Sequence, residues 1–390
     1  MDLQIAQDKA IQLLRKAVSE KGFLASPLQR DNYQRIWARD GVITGLAVLA
    51  SREEDLVEVF QKTLITLGEH ISPYGHVPSN VEVTGNKVSY GGLAGRADTG
   101  SWWLIGLCLY TKYTGNKALL YRFEEAIYRI HHLYQAWEYN NKDLVYVPLA
   151  GDWADEYILH GYVLYDQILR YAALKLSGAL MEQQEWLDKA EAIKIAIYEN
   201  YFLQDSWLET GIHAQAKKQL SQQVGGLNYL PASFHPAGYQ NYFDALGNAL
   251  AIIFNIHPQA EACLDWGKGN FGPLVPAFAP VIKESDRDFD LLHQNFRFEF
   301  RNKPHEFHNG GVWPMVNGFW GMAMYLAKGK TEAEEVLEGI KSLNLKNDWD
   351  FNECFHGETL APCGVSLCTW SAAGQVLLEN TLNKGFYLLD

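Results

Sequence analysis

Asp98-Thr99-Gly100-Ser101-Trp102-Trp103-Leu104-Ile105-Gly106-Leu107-Cys108-Leu109-Tyr110-Thr111-Lys112-Tyr113-Thr114-Gly115-Asn116 carries apolar residues at the three- and four-residue recurrence of a helix over 98–114 and then breaks at Thr114-Gly115-Asn116. A second helical pattern over 117–138 begins at once, and so short a connection predicts an antiparallel helix hairpin. The same arrangement recurs along the chain. Helical patterns cover 3–20, 40–51, 53–70, 157–178, 182–201, 242–255, 257–268, 311–328, 331–343 and 366–382. Further short turns are expected at Ser51-Arg52-Glu53, Gly178-Ala179-Leu180, Ile256-His257-Pro258 and Lys328-Gly329-Lys330.

Between the pairs lie loops 71–97, 139–156, 202–241, 269–310 and 344–365, rich in Gly, Pro, Trp and His. They are too long to be plain connectors, and long loops on a rigid scaffold commonly carry function. Twelve helices as six hairpins, with the long loops gathered at one mouth, predict an all-α (α/α)6 toroid, with a few short strands in 71–97 and 139–150. No linker rich in Pro, Ser or charge divides the chain, so residues 1–390 read as one catalytic domain. A non-toroidal helical array would repeat every 30 to 50 residues or so, and no such period is present.

Apolar residues make up 48% of the chain and charged ones 20%, which excludes a disordered or coiled-coil protein. A formal charge of -13 argues against nucleic acid as a partner and suits a neutral ligand. The start, Met1-Asp2-Leu3-Gln4-Ile5-Ala6-Gln7-Asp8-Lys9, lacks a basic segment followed by an apolar run and reads as a first helix rather than a signal peptide. No stretch reaches the roughly 18 apolar residues of a membrane span. The five cysteines, Cys108, Cys263, Cys354, Cys363 and Cys368, form no CxxC pair and read as reduced thiols of a cytoplasmic protein.

Two acids stand out by their surroundings. Asp98 sits where the Gly-rich run Gly91-Gly92-Leu93-Ala94-Gly95-Arg96-Ala97 meets an apolar helix, and Glu353 sits in Trp349-Asp350-Phe351-Asn352-Glu353-Cys354-Phe355-His356-Gly357. Asp is a favoured helix cap and a loop Glu is usually solvated, which are the plain structural readings. A run of aromatics around one carboxylate excludes bulk water from it, however, and two such acids are what cleavage of a glycosidic bond requires. An acid at a helix start is held charged by the helix dipole, so Asp98 as a proton donor needs burial or a second carboxylate beside it.

Other polar-aromatic clusters offer groups for a sugar. In Ile36-Trp37-Ala38-Arg39-Asp40, Arg39 and Asp40 form a fork for vicinal hydroxyls and Trp37 a stacking face. Arg96 could hold a hydroxyl or balance a carboxylate. Gly151-Asp152-Trp153-Ala154-Asp155-Glu156-Tyr157 sets acids around Trp153, without a His at ligand spacing that would favour a metal. In His305-Glu306-Phe307-His308-Asn309-Gly310-Gly311-Val312-Trp313-Pro314 the HExxH order of a zinc site is absent. His308, Asn309 and Trp313 there read as a surface pressed against a ligand. Glu299 and Glu306 remain rival catalytic acids on composition alone. No cofactor or metal is expected, and no Gly-x-Ser-x-Gly elbow or phosphate-binding loop is present.

Trp37-Ala38-Arg39-Asp40, Gly95-Arg96-Ala97-Asp98-Thr99-Gly100-Ser101-Trp102-Trp103, Phe243-Asp244-Ala245-Leu246-Gly247-Asn248, His308-Asn309-Gly310-Gly311-Val312-Trp313-Pro314, Asn352-Glu353 and Thr369-Trp370-Ser371-Ala372-Ala373-Gly374 follow in an order that resembles the neutral/alkaline invertases. These are glycoside hydrolases that cleave sucrose on an (α/α)6 barrel. The resemblance implies Asp98 as catalytic acid, Glu353 as catalytic base and inversion at the anomeric carbon. It also implies a small sugar as partner, sucrose or a related α-glucoside, with no nucleic acid or membrane and with homo-oligomerisation left open. At Gly151–Tyr157 the chain departs from the family pattern toward glucosidases of the debranching and processing type, which makes another small α-glucoside the alternative substrate.

Two further classes fit a helical toroid. A sugar 2-epimerase of the acylglucosamine type would use paired histidines, with His160, His235, His293 and His308 as candidates. A glycan-binding protein would bind sugar without turnover.

Overall fold

The computed structural model describes residues 3–30, 32–85 and 87–389; residues 1, 2, 31, 86 and 390 of the expected 1–390 domain lie outside the described residues. Six helices, Ala38–Ser51, Thr99–Thr114, Leu164–Leu180, Ala245–Ile253, Pro314–Lys328 and Thr369–Lys384, pack each on the next, and the last packs back on the first. This closed inner ring makes the fold an (α/α)6 toroid. Five outer helices, Glu54–Gly68, Glu124–Ala136, Gln184–Tyr201, Ala260–Phe271 and Lys330–Asn344, each follow an inner one in sequence. Leu3–Lys16 takes the sixth outer place by packing on Thr369–Lys384, so the two ends of the chain close the ring together.

Inner and outer helices differ in the way their sequences demand. Every residue of Ala38–Ser51 is buried, as is every residue from Thr99 to Thr111, and these segments are apolar all round. Glu54–Gly68 is one-sided and buries Leu56, Val59, Phe60, Thr63, Leu64 and Leu67 at the helical spacing. Close approach of the inner helices relies on small residues. A Cβ on Gly318 would come within 2.6 Å of the Gly374 backbone on the neighbouring inner helix, a distance real side chains do not reach.

Short antiparallel strands sit where the chain enters the inner helices. Arg35–Trp37 pairs with Asn80–Glu82, which pairs with Val88–Ser89; Trp37 then leads straight into Ala38–Ser51. A second sheet joins Tyr162–Val163, Pro231–His235, Gly238–Asp244 and Phe278–Ala279, and its members run into the helices starting at Leu164 and Ala245. The first turns of the inner helices thus lie beside the sheets and long loops, and this end carries the candidate site.

Several sequence expectations need correction. The helix expected over 3–20 ends at Lys16, because Val18–Ser19 turns back onto Gly22–Phe23 as a hairpin. The pattern over 242–255 is a strand ending at Asp244 followed by a nine-residue helix. The turn expected at Gly178-Ala179-Leu180 is still helical, and the helix Ala214–Val224 lies inside the expected loop 202–241. Strands expected in 139–150 reduce to one bridge, Val147 with Gly161. In each case pairing or packing against distant segments outweighs the local pattern.

Candidate active site

The six inner helices each place a candidate site residue at or near their first turn. Arg39 and Asp40 begin Ala38–Ser51, Asp98 caps Thr99–Thr114, and Tyr165 and Asp166 begin Leu164–Leu180. Asp244 caps Ala245–Ile253, Trp313 precedes Pro314–Lys328, and Trp370 is the second residue of Thr369–Lys384. All are less than a tenth exposed.

Asp98 occupies the cap position but makes no capping bond. Arg39 instead donates from Nη1 to Asp98 Oδ2 at 2.6 Å, and the Tyr165 hydroxyl donates to the same oxygen at 3.0 Å. Trp102 Nε1 donates in turn to the Tyr165 oxygen at 2.6 Å. Asp98 Oδ1, buried, has no hydrogen-bond partner among the described residues. Two further carboxylates, Asp152 and Asp166, lie within electrostatic reach of Asp98. Burial pushes Asp152 up to about 7, with the Asp98 charge adding to the effect. Burial also pushes Asp166 well above the carboxylate range, with the charges of Asp152 and Asp98 adding to it. Both oxygens of Asp166 and Oδ2 of Asp152 lack partners among the described residues.

Glu353 is 6% exposed, against the plain expectation of a solvated loop residue. The Tyr33 hydroxyl lies 2.9 and 3.0 Å from its two carboxylate oxygens, and the Val365 N–H donates to Oε2 at 3.2 Å. Gly364, at φ +71°, makes the second contact possible: a Cβ there would fall 2.5 Å from Oε2. Burial pushes Glu353 up to about 7, against the lowering effect of the two hydrogen bonds. Phe351, two residues before Glu353, is held at φ 44°, a strained position for an aromatic residue of the kind found at functional sites. Asp40 is within electrostatic reach of both Asp98 and Glu353, and burial pushes it up to about 6.

An aromatic wall joins these groups. Trp153 stacks on Phe278 with ring centres 5.7 Å apart and meets His308 and Trp313 edge-on at 4.9 and 5.7 Å. His308 stacks on Trp313 at 4.9 Å, and Trp313 meets Trp370 at 5.7 Å. Burial drives His308 down to about 3, so its ring is neutral. The indole nitrogens of Trp153 and Trp370 have no hydrogen-bond partner among the described residues. Unpaired donors and acceptors beside apolar faces are what a polyhydroxyl ligand complements.

The other expected ligand groups divide. Trp37 is half-buried and ties its indole N–H to the Asn32 carbonyl at 2.9 Å. Arg96 donates to the Ala150 carbonyl and pairs with Asp155, both at 2.6 Å, so it balances a carboxylate and pins the loop that carries Asp152 and Trp153. Asn309, expected as a ligand surface, bonds to neighbouring loops. Its amide is used up by the Ile282 N–H and the carbonyls of Ile282 and Asn302, which makes it a brace between loops. Glu299 and Glu306 lie on the wall of a cavity of about 170 Å³ with Arg30, Arg301, Lys303 and Gly364, next to Glu353. His160 and His235 do stack, at 4.4 Å, but their hydrogen bonds run to loop backbone, and the ring neighbours of His308 include no second histidine. No grouping of three His, Cys, Asp or Glu among the described residues has the arrangement of a metal site.

Sequence reasoning left Tyr33, Tyr165 and Asp166 out of the site. Asp166 carried a usable signal, a carboxylate inside the apolar run Leu164-Tyr165-Asp166-Gln167-Ile168. Tyr33 carried none, because only the fold brings it to Glu353, 320 residues away.

Residues 17–225 match the family described as alkaline and neutral invertase. The chain is 20% identical over 400 residues to neutral/alkaline invertase 1, mitochondrial, of Oryza sativa subsp. japonica, covering 88% of this chain and 64% of that protein. It therefore spans somewhat less than two thirds of that relative. Among solved structures it is similar to a bacterial glucoamylase complexed with acarbose, with TM-score 0.67 and 14% identity over 98% of this chain and 56% of that one. It is also similar to a GH63 mannosylglycerate hydrolase from Thermus thermophilus, with TM-score 0.65 and 12% identity over 96% of this chain and 100% of that one. Both are likenesses of fold. No helix among the described residues is long and apolar enough to cross a membrane.

Proposed function

The chain belongs to the alkaline and neutral invertase family of glycoside hydrolases, and on that basis we propose that it hydrolyses sucrose by a single displacement with Asp98 as acid and Glu353 as base. The observation that carries this reading is the unequal support of two buried carboxylates at one end of the toroid. Asp98 is gripped at Oδ2 by Arg39 and Tyr165, with Oδ1 left over to hand a proton to the bridging oxygen. Glu353, raised to about 7 and oriented by Tyr33 and Val365, suits a base that takes a proton from water near neutral pH. Water attacks the glucosyl carbon from the side opposite the departing fructose, and the glucose released first is the β anomer.

In this reading Asp40, Asp152, Trp153, His308 and Trp313 hold the sugar. The unpaired Oδ2 of Asp152 and indole nitrogen of Trp153 serve its hydroxyls, and the faces of Trp313 and His308 serve its C–H surface. Arg39 and Arg96 act through the groups they position, and Trp37 lies at the edge. We read residues 1–390 as one catalytic domain that needs no metal or cofactor, and its free thiols support a cytoplasmic setting.

A second reading, a small α-glucoside with another leaving group, is favoured by one observation. Asp152 and Trp153, in the segment that departs from the family pattern, are each 1% exposed and central to the aromatic wall. The deciding experiment measures glucose release from sucrose, maltose, isomaltose and trehalose at neutral pH and follows the anomer by NMR. Sucrose turnover giving β-glucose first is the expected result. Sucrose left intact while another α-glucoside is cleaved moves the substrate to the second reading.

A further inference from the structure

The strand Cys354–Phe355 pairs antiparallel with Pro362–Cys363, and this register sets Cys354 directly opposite Cys363. Both are free thiols; Cys354 is fully buried and Cys363 half-buried. The two thiols lie within hydrogen-bonding reach of each other, which holds Cys363 below its ordinary range, while burial pushes Cys354 well above it; the Cys363 S–H also donates to the Ala361 carbonyl at 3.6 Å. The pair therefore has unequal members: an accessible sulfur that ionises the more readily, and a buried one that reaches it. The other cysteines, Cys108, Cys263 and Cys368, are buried, and none has a cysteine as strand partner among the described residues.

The hairpin that carries this pair also carries Glu353. Glu353 immediately precedes Cys354, and Gly364 and Val365, which contact its carboxylate, immediately follow Cys363. Cross-strand neighbours have Cβ atoms about 4.5–5.5 Å apart, whereas a disulfide wants about 3.5–4.5 Å. Closing a bond here draws the segment carrying Glu353 toward Gly364 and Val365 across the hairpin.

We propose that Cys354 and Cys363 form a modification site, a dithiol that hydroperoxides oxidise reversibly to a disulfide, and that closing it displaces Glu353. The Cys363 thiolate attacks the terminal oxygen of the hydroperoxide, the O–O bond breaks, and the departing alkoxide takes a proton and leaves as an alcohol. The Cys354 sulfur then attacks the resulting sulfenic acid, the S–O bond breaks, and hydroxide leaves with the Cys354 proton as water. In sum, two thiols are oxidised by two electrons and the peroxide is reduced by two. The chemistry at sulfur is independent of the substrate; only its effect on turnover rests on Glu353 being the base.

The test exposes the whole protein to hydrogen peroxide, caps free thiols with iodoacetamide and maps the peptides by mass. A Cys354–Cys363 cross-link with the loss of two hydrogen atoms is expected, together with a fall in turnover of about tenfold or more that dithiothreitol reverses. Cys354→Ser and Cys363→Ser should keep their turnover and resist peroxide. Absence of the cross-link, or a cross-linked protein of undiminished turnover, overturns the proposal. Glu353→Gln should still form the cross-link, so a failed base assignment is separable from a failed thiol pair.

Discussion

Arg39, in the first turn of one inner helix, donates to Oδ2 of Asp98, at the start of the next, across 2.6 Å with both side chains out of solvent. Burial would weaken the Arg39 charge, yet the Asp98 carboxylate more than restores it. Arg39→Met leaves a buried carboxylate unpaired, a change that costs about 3–5 kcal/mol. Thermal unfolding should show that loss, and turnover should fall by orders of magnitude because the acid is no longer held in place. Wild-type stability in Arg39→Met would mean the pair does not hold the two helices together.

Asp98→Asn and Glu353→Gln keep shape and remove proton transfer. Each should lower kcat by roughly 10²-fold or more with circular dichroism unchanged, and Asp98→Asn, which leaves the buried Arg39 charge unpaired, should also unfold more easily. Turnover close to wild type in either variant would remove that residue from the mechanism.

Tyr33→Phe deletes the hydroxyl bond that pulls Glu353 downward against burial. A base must be ionised to work, so the ascending limb of the pH profile of kcat/KM should move to higher pH, by about one unit or more. An unmoved limb would show that Glu353 does not set it.

Stability should fall as pH rises from about 6.5 to 8. Asp152, Asp244 and Glu353 are raised to about 7 in the folded protein and titrate lower when unfolded. The stability they contribute is fully present below the unfolded value, about 4, and is lost as pH climbs through about 7. His131 and His308, lowered to about 3, and His257, lowered to about 4, act in the opposite sense, but only below about 6.5, where their unfolded forms begin to protonate. Unfolding followed across this range should show the slope, and Asp244→Asn should flatten it.

Trp153→Phe keeps a ring in the wall and removes an indole N–H that has no partner among the described residues. Loss of one hydrogen bond to a ligand should raise KM by roughly 2–10-fold with kcat little changed. A change in kcat alone would place Trp153 at the reacting bond instead.

The twelve-helix plan was readable because an inner helix must be apolar all round and an outer one on a single stripe, and both patterns are local. Asp98 and Glu353 stood out for the same reason: acids among glycines and aromatics are unusual wherever the chain later puts them. The small sheets were not readable. Gly238–Asp244 is a strand because Pro231–His235 and Phe278–Ala279 supply partners, and two- and three-residue strands carry too little alternation to be seen. Nor could the sequence tell Asn309 the brace from His308 in the aromatic wall, since the two are neighbours and differ only in what reaches them across the fold.

The order of residues along the chain thus specified the periodicities that make a ring of paired helices and marked two acids by their unusual company. Which groups surround those acids was settled by tertiary packing: Arg39 and Tyr165 on Asp98, Tyr33 and Val365 on Glu353, Cys363 across from Cys354. The reason is physical. Hydrophobic periodicity is written within a few turns of chain, whereas hydrogen bonds and desolvation act over a few ångströms between residues far apart in the sequence, and only closure of the ring brings those together.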